Sequence, residues 1–380
     1  MKFIMNRDQL VDSVQDVMKA VSTRTTIPIL TGIKIEAHED GVTLTGSDSD
    51  ISIERFVPAE EEGYEHVTVE KPGSIVLQAR FFSEIVKKLP DSKIEIEVSE
   101  RFATRIRSGS SEFNLNGLDP QEYPRLPEVQ EHNRFSIQAD LLKTLIRQTV
   151  FAVSTSETRP ILTGVNWHVE DGELKCVATD SHRLASRSAA VETSSEEMDF
   201  SNVVIPGKSL TELSKILDDS SELIDIILTE SQVLFKATNI LFFSRLLDGN
   251  YPDTSKLIPN DSKTEMVVST KEFLQAIDRA SLLAKEGRNN VVKLSTLSEN
   301  EIEISSNSPE IGKVFEHVTP ESLDGDELKI SFSAKYMMDA LKAMDCSEVR
   351  IQFTGAMRPF VLTPIEELTI KQLILPVRTY

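Results

Sequence analysis

Apolar residues recur at helical spacing once in each third of the chain, at residues 7–21, 139–153 and 270–284. In the first stretch, Leu10, Val14 and Val17 fall on one face, as in an amphipathic helix. A second helical pattern follows in each third, at residues 79–89, 210–217 and 334–344. The pattern therefore predicts six amphipathic helices, two in each third.

Between these helices, short runs alternate apolar and polar side chains, which is typical of strands with one buried face. The clearest are residues 27–35, 42–53, 93–98 and 102–107, and a strand-like tail at 373–377. Each helix must bury its apolar stripe on a sheet. We therefore predict an α+β fold in which each third contributes two helices and about eight strands, with both helices on one side of a sheet.

One motif sets the register of the three thirds. Pro28-Ile-Leu-Thr-Gly32 returns as Pro160-Ile-Leu-Thr-Gly164, a shift of 132 residues. A repeat of this length is a whole domain used again. It predicts three domains, 1–128, 129–256 and 257–380, with linkers at 119–127 and 257–264. We interpret the motif as a strand that follows the first helix, with Leu30 in the core.

The second helices carry cations at two matching positions, seven residues apart. These are Arg80 and Lys87, Lys208 and Lys215, and Lys335 and Lys342. Seven residues are two helical turns, so each pair shares a face, and the apolar residues lie opposite it. Lys143 and Arg147 point outward in the same way on the first helix of the second domain. Ordinary solvated helices also carry such cations, so a solvated face and a nucleic-acid surface both remain open.

The chain as a whole is acidic, with 61 Asp and Glu against 41 Lys and Arg and a net charge of −20. This opposes a protein that grips nucleic acid over its whole surface, although basic residues collected on one face would still permit contact. No apolar run approaches the roughly 18 residues of a membrane span. Two cysteines, Cys176 and Cys346, do not suggest a disulfide framework. We expect a cytoplasmic protein with no membrane partner, cofactor or metal.

Two strands near opposite ends of the chain carry opposite charge. Even spacing places the members of each set on one strand face. The sets are Arg101, Arg105 and Arg107 in the first domain and Glu299, Glu301 and Glu303 in the third. Either these are solvated strands, or they form a head-to-tail contact between the first domain of one chain and the third of another. Contacts of the second kind can close into a ring.

Catalytic motifs are absent from the sequence. Gly207-Lys208-Ser209 resembles the end of a phosphate loop, but Asn202 occupies the position of its first glycine. Asp180, Ser181 and His182 are consecutive, which is not how a hydrolase triad assembles. We predict no catalytic residue. An enzyme with an unidentified carboxylate site and a scaffold that binds only proteins remain as alternatives.

With the triple repeat, four motifs carry a resemblance that extends over the whole chain. They are Arg24-Thr-Thr-Ile-Pro-Ile-Leu30, Thr179-Asp-Ser-His-Arg-Leu184, Gly249-Asn-Tyr-Pro252 and Leu375-Pro-Val-Arg378. The chain resembles the bacterial sliding clamps, the beta subunits of DNA polymerase III. The resemblance implies a non-enzymatic homodimer whose two subunits form a closed ring of six domains, with helices lining the pore.

Several partners follow from this resemblance. Duplex DNA would pass through the pore without sequence preference, and the ring would be placed on it by an ATP-dependent clamp loader. The replicative DNA polymerase, and other proteins that carry a short clamp-binding peptide, would be tethered to the ring. The cations of the second helices, with Lys143 and Arg147, would face the pore, and Arg24 matches a family position that contacts DNA.

The resemblance also implies a hydrophobic cleft between the second and third domains that binds such peptides. The matching positions are Leu162, Thr179, His182, Arg183, Leu184, Pro252, Leu257, Leu373, Pro376, Val377 and Arg378. An apolar anchor that enters a pocket with a polar rim is a common mode of peptide recognition. Ser181 replaces a glycine common in the family, and the tail ends differently, so the preferred peptide sequence stays open.

Overall fold

The structure is a computed structural model, and it describes residues 1–22, 24–126, 134–193, 199–259, 261–284, 290–297 and 300–378. They form two compact units. Unit 1 comprises Met1–Asp140, Glu192–Ser194 and Glu212–Leu246. Unit 2 comprises Leu141–Val191, Ser195–Thr211 and Leu247–Tyr380. The predicted boundaries of three domains remain predictions.

Six α-helices occur in the described residues. They are α1 Arg7–Met18, α2 Ala79–Lys88, α3 Ala139–Thr149, α4 Gly207–Ser214, α5 Thr270–Ala284 and α6 Ala334–Met344. The bounds predicted for α5 and α6 are confirmed, and α2 ends one residue before its predicted end. None of these helices combines the length and the apolar character that a membrane crossing requires.

The strands repeat in one order in each third: one strand, a helix, five strands, a helix and three strands. The first third adds a small hairpin, β5–β6. Its strands are β1 Lys2–Asn6, β2 Gly32–His38, β3 Gly41–Ser47, β4 Ile51–Pro58, β5 Glu60–Glu61, β6 Tyr64–Glu65, β7 Val67–Lys71, β8 Gly73–Gln78, β9 Lys93–Val98, β10 Ala103–Ser108 and β11 Ser111–Asn116.

The other two thirds each contribute nine strands, one more than predicted. The second third has β12 Arg134–Gln138, β13 Gly164–Glu170, β14 Glu173–Thr179, β15 Arg183–Ala190, β16 Glu192–Thr193, β17 Phe200–Pro206, β18 Leu223–Leu228, β19 Gln232–Lys236 and β20 Ile240–Arg245. The last third has β21 Thr264–Ser269, β22 Val291–Thr296, β23 Ile302–Ser308, β24 Gly312–Val318, β25 Ser322–Gly325, β26 Lys329–Ser333, β27 Glu348–Phe353, β28 Phe360–Pro364 and β29 Ile370–Ile374.

Each unit contains a nine-stranded antiparallel sheet that joins strands of two successive thirds. In unit 1 its order is β16-β12-β18-β19-β20-β4-β3-β2-β8, beside a five-stranded sheet β11-β10-β9-β1-β7. In unit 2 the order is β17-β13-β14-β15-β29-β28-β27-β21-β25, beside a four-stranded sheet β24-β23-β22-β26. Two of the thirds therefore end in a strand that pairs with the preceding third. These pairs are β20 with β4 and β29 with β15.

The helices bury the faces that the sequence predicts. In α1, Leu10, Val14 and Val17 are fully buried, and Asn6 caps the helix by accepting the backbone N–H groups of Asp8 and Gln9. Each such apolar side chain contributes about 1.5–3 kcal/mol on burial, and the cap contributes about 1 kcal/mol. In the last third, α5 and α6 pack into one core with the strands around them.

The repeated Pro-Ile-Leu-Thr-Gly motif is not a strand, contrary to our prediction. Pro28–Thr31 and Pro160–Thr163 form single 3₁₀ turns, and the strands begin at Gly32 and Gly164. Proline favours the first position of a helical turn because its φ angle is preset there and it has no N–H to satisfy. Leu30 is buried with Val76 and Tyr123, so its prediction as a core residue is confirmed.

Other predicted bounds also differ. Helix α3 ends at Thr149, before its predicted end at Val153, and Val150–Ala152 form a 3₁₀ turn. Helix α1 ends at Met18, before the predicted end at Val21. Helix α4 begins and ends three residues earlier than predicted, directly after Pro206 closes β17. The last strand is Ile370–Ile374 and stops before Pro376, because proline has no N–H to extend the ladder.

Candidate functional site

A small apolar cluster lies in unit 2, where β15, β29 and β28 are neighbours. Leu184 is opposite Leu373, and Leu373 is opposite Val361, so these three side chains adjoin across the sheet. Val177 completes the cluster, and Ile258 packs against it. Its four core members are buried. A peptide anchor would reach this cluster only from its rim, or after a neighbouring segment has moved.

The rim of the cluster is a tight turn between β14 and β15. The Asp180 carboxylate accepts the backbone N–H groups of His182 and Arg183, at 2.9 and 3.0 Å. Ser181 takes a positive φ of 76° in this turn, in the left-handed region that glycine adopts at lower cost. The Thr179 hydroxyl donates to the carbonyl of Arg183 at 2.6 Å. The turn is therefore held by its own polar side chains.

The Arg183 side chain is buried and fully engaged within unit 2. Its guanidinium donates to the Asp180 carboxylate at 3.1 Å, to Asp339 at 2.7 Å and to the carbonyl of Phe151 at 2.7 Å. It also stacks on the rings of Phe151 and Tyr336, with distances to the ring centroids of 5.4 and 4.4 Å. Arg183 thus ties strand β15 to helix α6.

Two pKa shifts accompany this network. Burial alone would raise the pKa of Asp339, but hydrogen bonds from Lys335 and Arg183 outweigh it and lower that pKa. Burial raises the pKa of Tyr336, with a contribution from the charge of Asp180. Asp339 is therefore ionised at neutral pH, and Tyr336 keeps its proton.

The C-terminal tail runs past this turn. The N–H of Leu375 donates to the carbonyl of His182 at 2.9 Å, and the N–H of Val377 donates to Ser331 at 2.7 Å. Leu375 is exposed, and Pro376 and Val377 are half-buried. The tail therefore presents apolar side chains beside the Thr179–Arg183 turn.

The other predicted cleft residues lie at different depths. Leu162 packs with Val204 and Tyr251 in a neighbouring buried cluster, and the Tyr251 hydroxyl accepts the N–H of Thr179 at 3.0 Å. Leu162 thus supports the Thr179–Arg183 turn indirectly, by packing against Tyr251. Leu257 is exposed next to Ile258. Pro252 and Arg378 are exposed, and neither is a member of the cluster.

The predicted DNA-facing cations point away from the sheets. Arg24, Arg147 and all six cations of the second helices are exposed, and Lys143 is half-buried. Arg147 pairs with Asp345 at 2.8 Å, and Lys215 pairs with Glu212 at 2.8 Å. Exposed pairs of this kind are weak, so the cations stay available to another anion. Within the described ranges, no three His, Cys, Asp or Glu side chains converge where they could hold a metal ion.

Comparisons with known proteins cover the chain from end to end. Residues 1–127 match the model of the DNA polymerase III beta subunit N-terminal domain, 136–253 the central domain and 255–378 the C-terminal domain. The chain belongs to the DNA polymerase III beta subunit family. Its function is that of a DNA sliding clamp in replication, and sliding clamps are processivity factors rather than enzymes. Our predictions of fold, family and function are confirmed.

Individual relatives are similar over their full length. The beta sliding clamp of Bacillus subtilis (strain 168) is 70% identical over 380 residues, 100% of both chains, and that of Staphylococcus aureus (strain N315) is 53% identical over the same span. The crystal structure of the DNA polymerase sliding clamp from Bacillus subtilis matches with a TM-score of 0.97 at 69% identity. A Pseudomonas aeruginosa sliding clamp bound to griselimycin matches with a TM-score of 0.92 at 27% identity. Both structural matches cover 100% of each chain.

One predicted interface set of this sliding clamp needs correction. Arg101 is not on the strand that holds Arg105 and Arg107; it lies in a 3₁₀ turn before β10, with a φ of 59°. The even spacing that we used holds only within a continuous strand. Glu301 precedes β23, Glu303 lies within it, and Glu299 lies outside the described residues.

Arg105 and Arg107 of this sliding clamp also form ion pairs within their own sheet. Arg105 pairs with Glu97, and Arg107 pairs with Glu112 at 2.9 Å. They lie on β10, which is an interior strand, whereas β11 is the sheet edge among the described residues. The edge strand β11 itself contains no arginine, so a contact between chains through this edge would not be built mainly on arginines.

Sequence reasoning missed several residues at the candidate site of this sliding clamp: Val177, Ile258, Val361, Tyr336, Asp180 and Asp339. One signal could have found Tyr336. Tyr336 directly follows the first cation of its helix, and Phe81 and Ser209 hold the same position in the other two second helices. Of the three, Tyr336 is the residue that contacts Arg183. Val361 gave no signal, because only the pairing of β28 with β29 brings it to the cluster.

Proposed function

We propose that two copies of this sliding clamp assemble head to tail into a closed ring that encircles duplex DNA in the cytoplasm. Sheet continuity supports this proposal. The last strands of the second and last thirds, β20 and β29, pair with β4 and β15. In the repeat, β11 corresponds to β20 and β29, and β24 corresponds to β4 and β15. Both β11 and β24 are sheet edges among the described residues. Pairing β11 of one copy with β24 of another repeats the same junction.

The internal junctions also predict the register of this contact. Ile240 lies opposite Arg55 in one junction, and Ile370 lies opposite Arg187 in the other. Carrying that register to the free edges places Phe113 opposite Lys313 of the second copy. It places Ser111 opposite Phe315 and Leu115 opposite Ile311. Because alternate residues share a face, these six side chains lie on the same side of the joined sheet.

The free edges are apolar where this register brings them together. Phe113 is 38% exposed on β11, while Ile311 and Phe315 are 58% and 57% exposed at β24. Phe81, 56% exposed, occupies the helix position that Tyr336 holds in α6. Since Tyr336 contacts Arg183, and Ile311 corresponds to Arg183, Phe81 would contact Ile311 of the second copy. Exposed apolar side chains that meet in this way are typical of a protein interface.

We place the charged residues at the rim of this junction. Arg105 and Arg107 would keep their pairs within the sheet, and Arg101, Glu301 and Glu303 would remain solvated around the apolar contact. Ring closure would therefore depend little on salt, since screened ion pairs at a rim contribute little.

Duplex DNA would be held by topology, with weak phosphate contacts from the exposed cations. The weak contacts permit sliding, and the acidic remainder of the surface disfavours binding elsewhere. The test uses nicked circular DNA and the ATP-dependent clamp loader of Bacillus subtilis, whose clamp is 70% identical. We expect the ring to stay on the circle at high salt and to leave when the circle is linearised. Loss at the same rate from both forms would contradict the ring.

The cations of the second helices should set the salt dependence of loading. Changing all six to Gln should lower the yield of loaded rings and flatten its dependence on salt, by a slope of about one for each phosphate contact removed. Loading is measured by gel filtration of the DNA complex. The matched control removes six exposed acidic charges of the first third, by changing Glu39, Glu60, Glu61, Glu62 and Glu65 to Gln and Asp40 to Asn. If control and variant behaved alike, the assignment of these cations to the pore would be wrong.

The cluster and its rim would bind the short peptides of the replicative polymerase, the clamp loader and other partners. Leu375, which is exposed, and Pro376 and Val377, which are half-buried, would form the accessible apolar side of the site. The exposed His182 would form its polar rim, with the buried Arg183 behind it. Griselimycin, which is bound to the related Pseudomonas aeruginosa and Bartonella birtlesii clamps, would occupy the same site here.

A double substitution tests this cleft. Pro376→Ala with Val377→Ala should weaken griselimycin binding by about tenfold or more, because two apolar contacts of about 1 kcal/mol each are lost. Polymerase stimulation should fall in parallel while the dimer mass is unchanged. Leu368→Ala, an exposed leucine elsewhere in unit 2, is the control. Unchanged affinity in the double variant would remove the tail from the site.

A further inference from the structure

A single carboxylate oxygen joins the peptide cleft to the helix face that carries the cations. Asp339 Oδ2 accepts a hydrogen bond from Arg183 Nη1 at 2.7 Å and one from Lys335 Nζ at 2.8 Å. The Arg183 side chain is 8% exposed, that of Asp339 26% and that of Lys335 61%. The buried arginine and the exposed lysine therefore share one anion.

The other two thirds do not repeat this arrangement. The positions that correspond to Asp339 are Glu84, which pairs with Lys88, and Glu212, which pairs with Lys215. The positions that correspond to Arg183 are Ile51 and Ile311. The first third repeats the turn itself, since Asp48 accepts the N–H groups of Asp50 and Ile51 and Ser49 has a φ of 79°. It has Ile51 in place of the arginine. Of these three corresponding positions, Asp339 is therefore the one whose carboxylate is shared with a buried arginine, and it is the arginine rather than the turn that sets this site apart.

Movement of the Arg183 guanidinium would reach the rim of the cleft directly. Asp180 binds the guanidinium through one carboxylate oxygen and the N–H groups of His182 and Arg183 through the other. The carbonyl of His182 in turn accepts the N–H of Leu375 in the tail. A change at Asp339 can thus pass through Arg183 and Asp180 to both sides of the site.

We propose that Asp339 is a positioning residue that couples DNA in the pore to peptide binding in the cleft. When a phosphate binds Lys335, the Asp339 oxygen is left to Arg183 alone, and the Thr179–Arg183 turn is held more firmly. DNA in the pore then raises the affinity of the cleft, and a bound peptide strengthens the DNA contact by the same factor. This coupling rests on the proposed ring and cleft.

The test measures griselimycin affinity by calorimetry on the full-length dimer. Lys335→Met frees Asp339 for Arg183, so we expect griselimycin to bind about fivefold more tightly without DNA, at the lower end of typical allosteric couplings. Lys271→Met, which removes an exposed lysine from another helix of unit 2, should leave the affinity unchanged. A 30-base-pair duplex at low salt should tighten binding to the wild type and to Lys271→Met, but not further to Lys335→Met.

Asp339→Asn should have the opposite effect to Lys335→Met. It should weaken griselimycin binding and abolish the response to the duplex, and circular dichroism checks that it is folded. If the wild type binds griselimycin but Lys335→Met binds equally well, or still responds to the duplex, the coupling is overturned. If the wild type does not bind griselimycin, the proposed cleft itself fails, and that result is distinct from the loss of coupling alone.

Discussion

Phe113→Lys is expected to convert the ring into monomers near 42.5 kDa. The substitution places an ammonium group in the proposed apolar junction of β11 with β24, where the proposed register sets it opposite Lys313 of the second copy. Burying an unpaired charge is costly, and like charges directly opposite on paired strands add to that cost. We expect the dissociation constant of the dimer to rise by at least about 1,000-fold, or roughly 4 kcal/mol. Sedimentation at micromolar concentration measures it.

Two further variants separate the register from a general effect of charge. Phe113→Asp puts a carboxylate opposite Lys313, so it should disrupt the dimer less than Phe113→Lys does. Leu223→Lys, at an exposed leucine elsewhere in unit 1, should leave the dimer intact. Equal effects of the two Phe113 variants would refute the register, and a stable dimer in both would refute pairing through β11.

Arg183→Met is expected to destabilise unit 2 by about 3–5 kcal/mol, the cost of removing one partner from a buried ion pair. Asp180 and Asp339 would lose their shared cation, and Phe151 and Tyr336 would lose the group stacked between them. The only tryptophan of the chain, Trp167, is buried on β13 in unit 2. Its fluorescence in urea therefore reports the unfolding of this unit.

The matched control is Arg279→Met in the same unit. Arg279 binds Glu316 through two hydrogen bonds, but its side chain is 54% exposed. Its loss should cost no more than about 1 kcal/mol. The pKa of Asp339 is lowered in the fold, so its contribution is present above about pH 4 and is lost at lower pH. The effect of Arg183→Met should shrink accordingly in acid, and equal costs for the two variants would contradict the network.

Local periodicity predicted much of the fold. The bounds of α5 and α6 follow from the positions of their buried residues, and the outward direction of Lys87 and Lys342 follows from the same period. The prediction failed where the backbone leaves the helix or strand whose period was assumed. Pro28 turns an apolar run into a 3₁₀ turn, and Arg101 leaves the strand that its even spacing suggested. A period describes a residue only while the element continues.

The candidate site was less accessible to sequence reasoning for a different reason. Thr179, His182, Arg183 and Leu184 were named through a family resemblance, and their partners were not. Val361 and Asp339 reach them through pairing and packing between segments more than 150 residues apart in the chain. No local pattern records such distant contacts. The repeat helped only where its copies agree, and this site depends on residues at which they differ.

The glycines that follow the 3₁₀ turns limit how the three copies can diverge. A methyl group at position 32 would lie 2.5 Å from Val76 Cγ1, and one at position 164 would lie 2.6 Å from Val204 Cγ1. Val291 begins the corresponding strand in the last third. Two copies therefore share a mutational constraint that the third has escaped. Substitutions at the start of this strand are therefore tolerated in the last third. At Gly32 or Gly164, a larger residue would push β2 away from β8 or β13 away from β17.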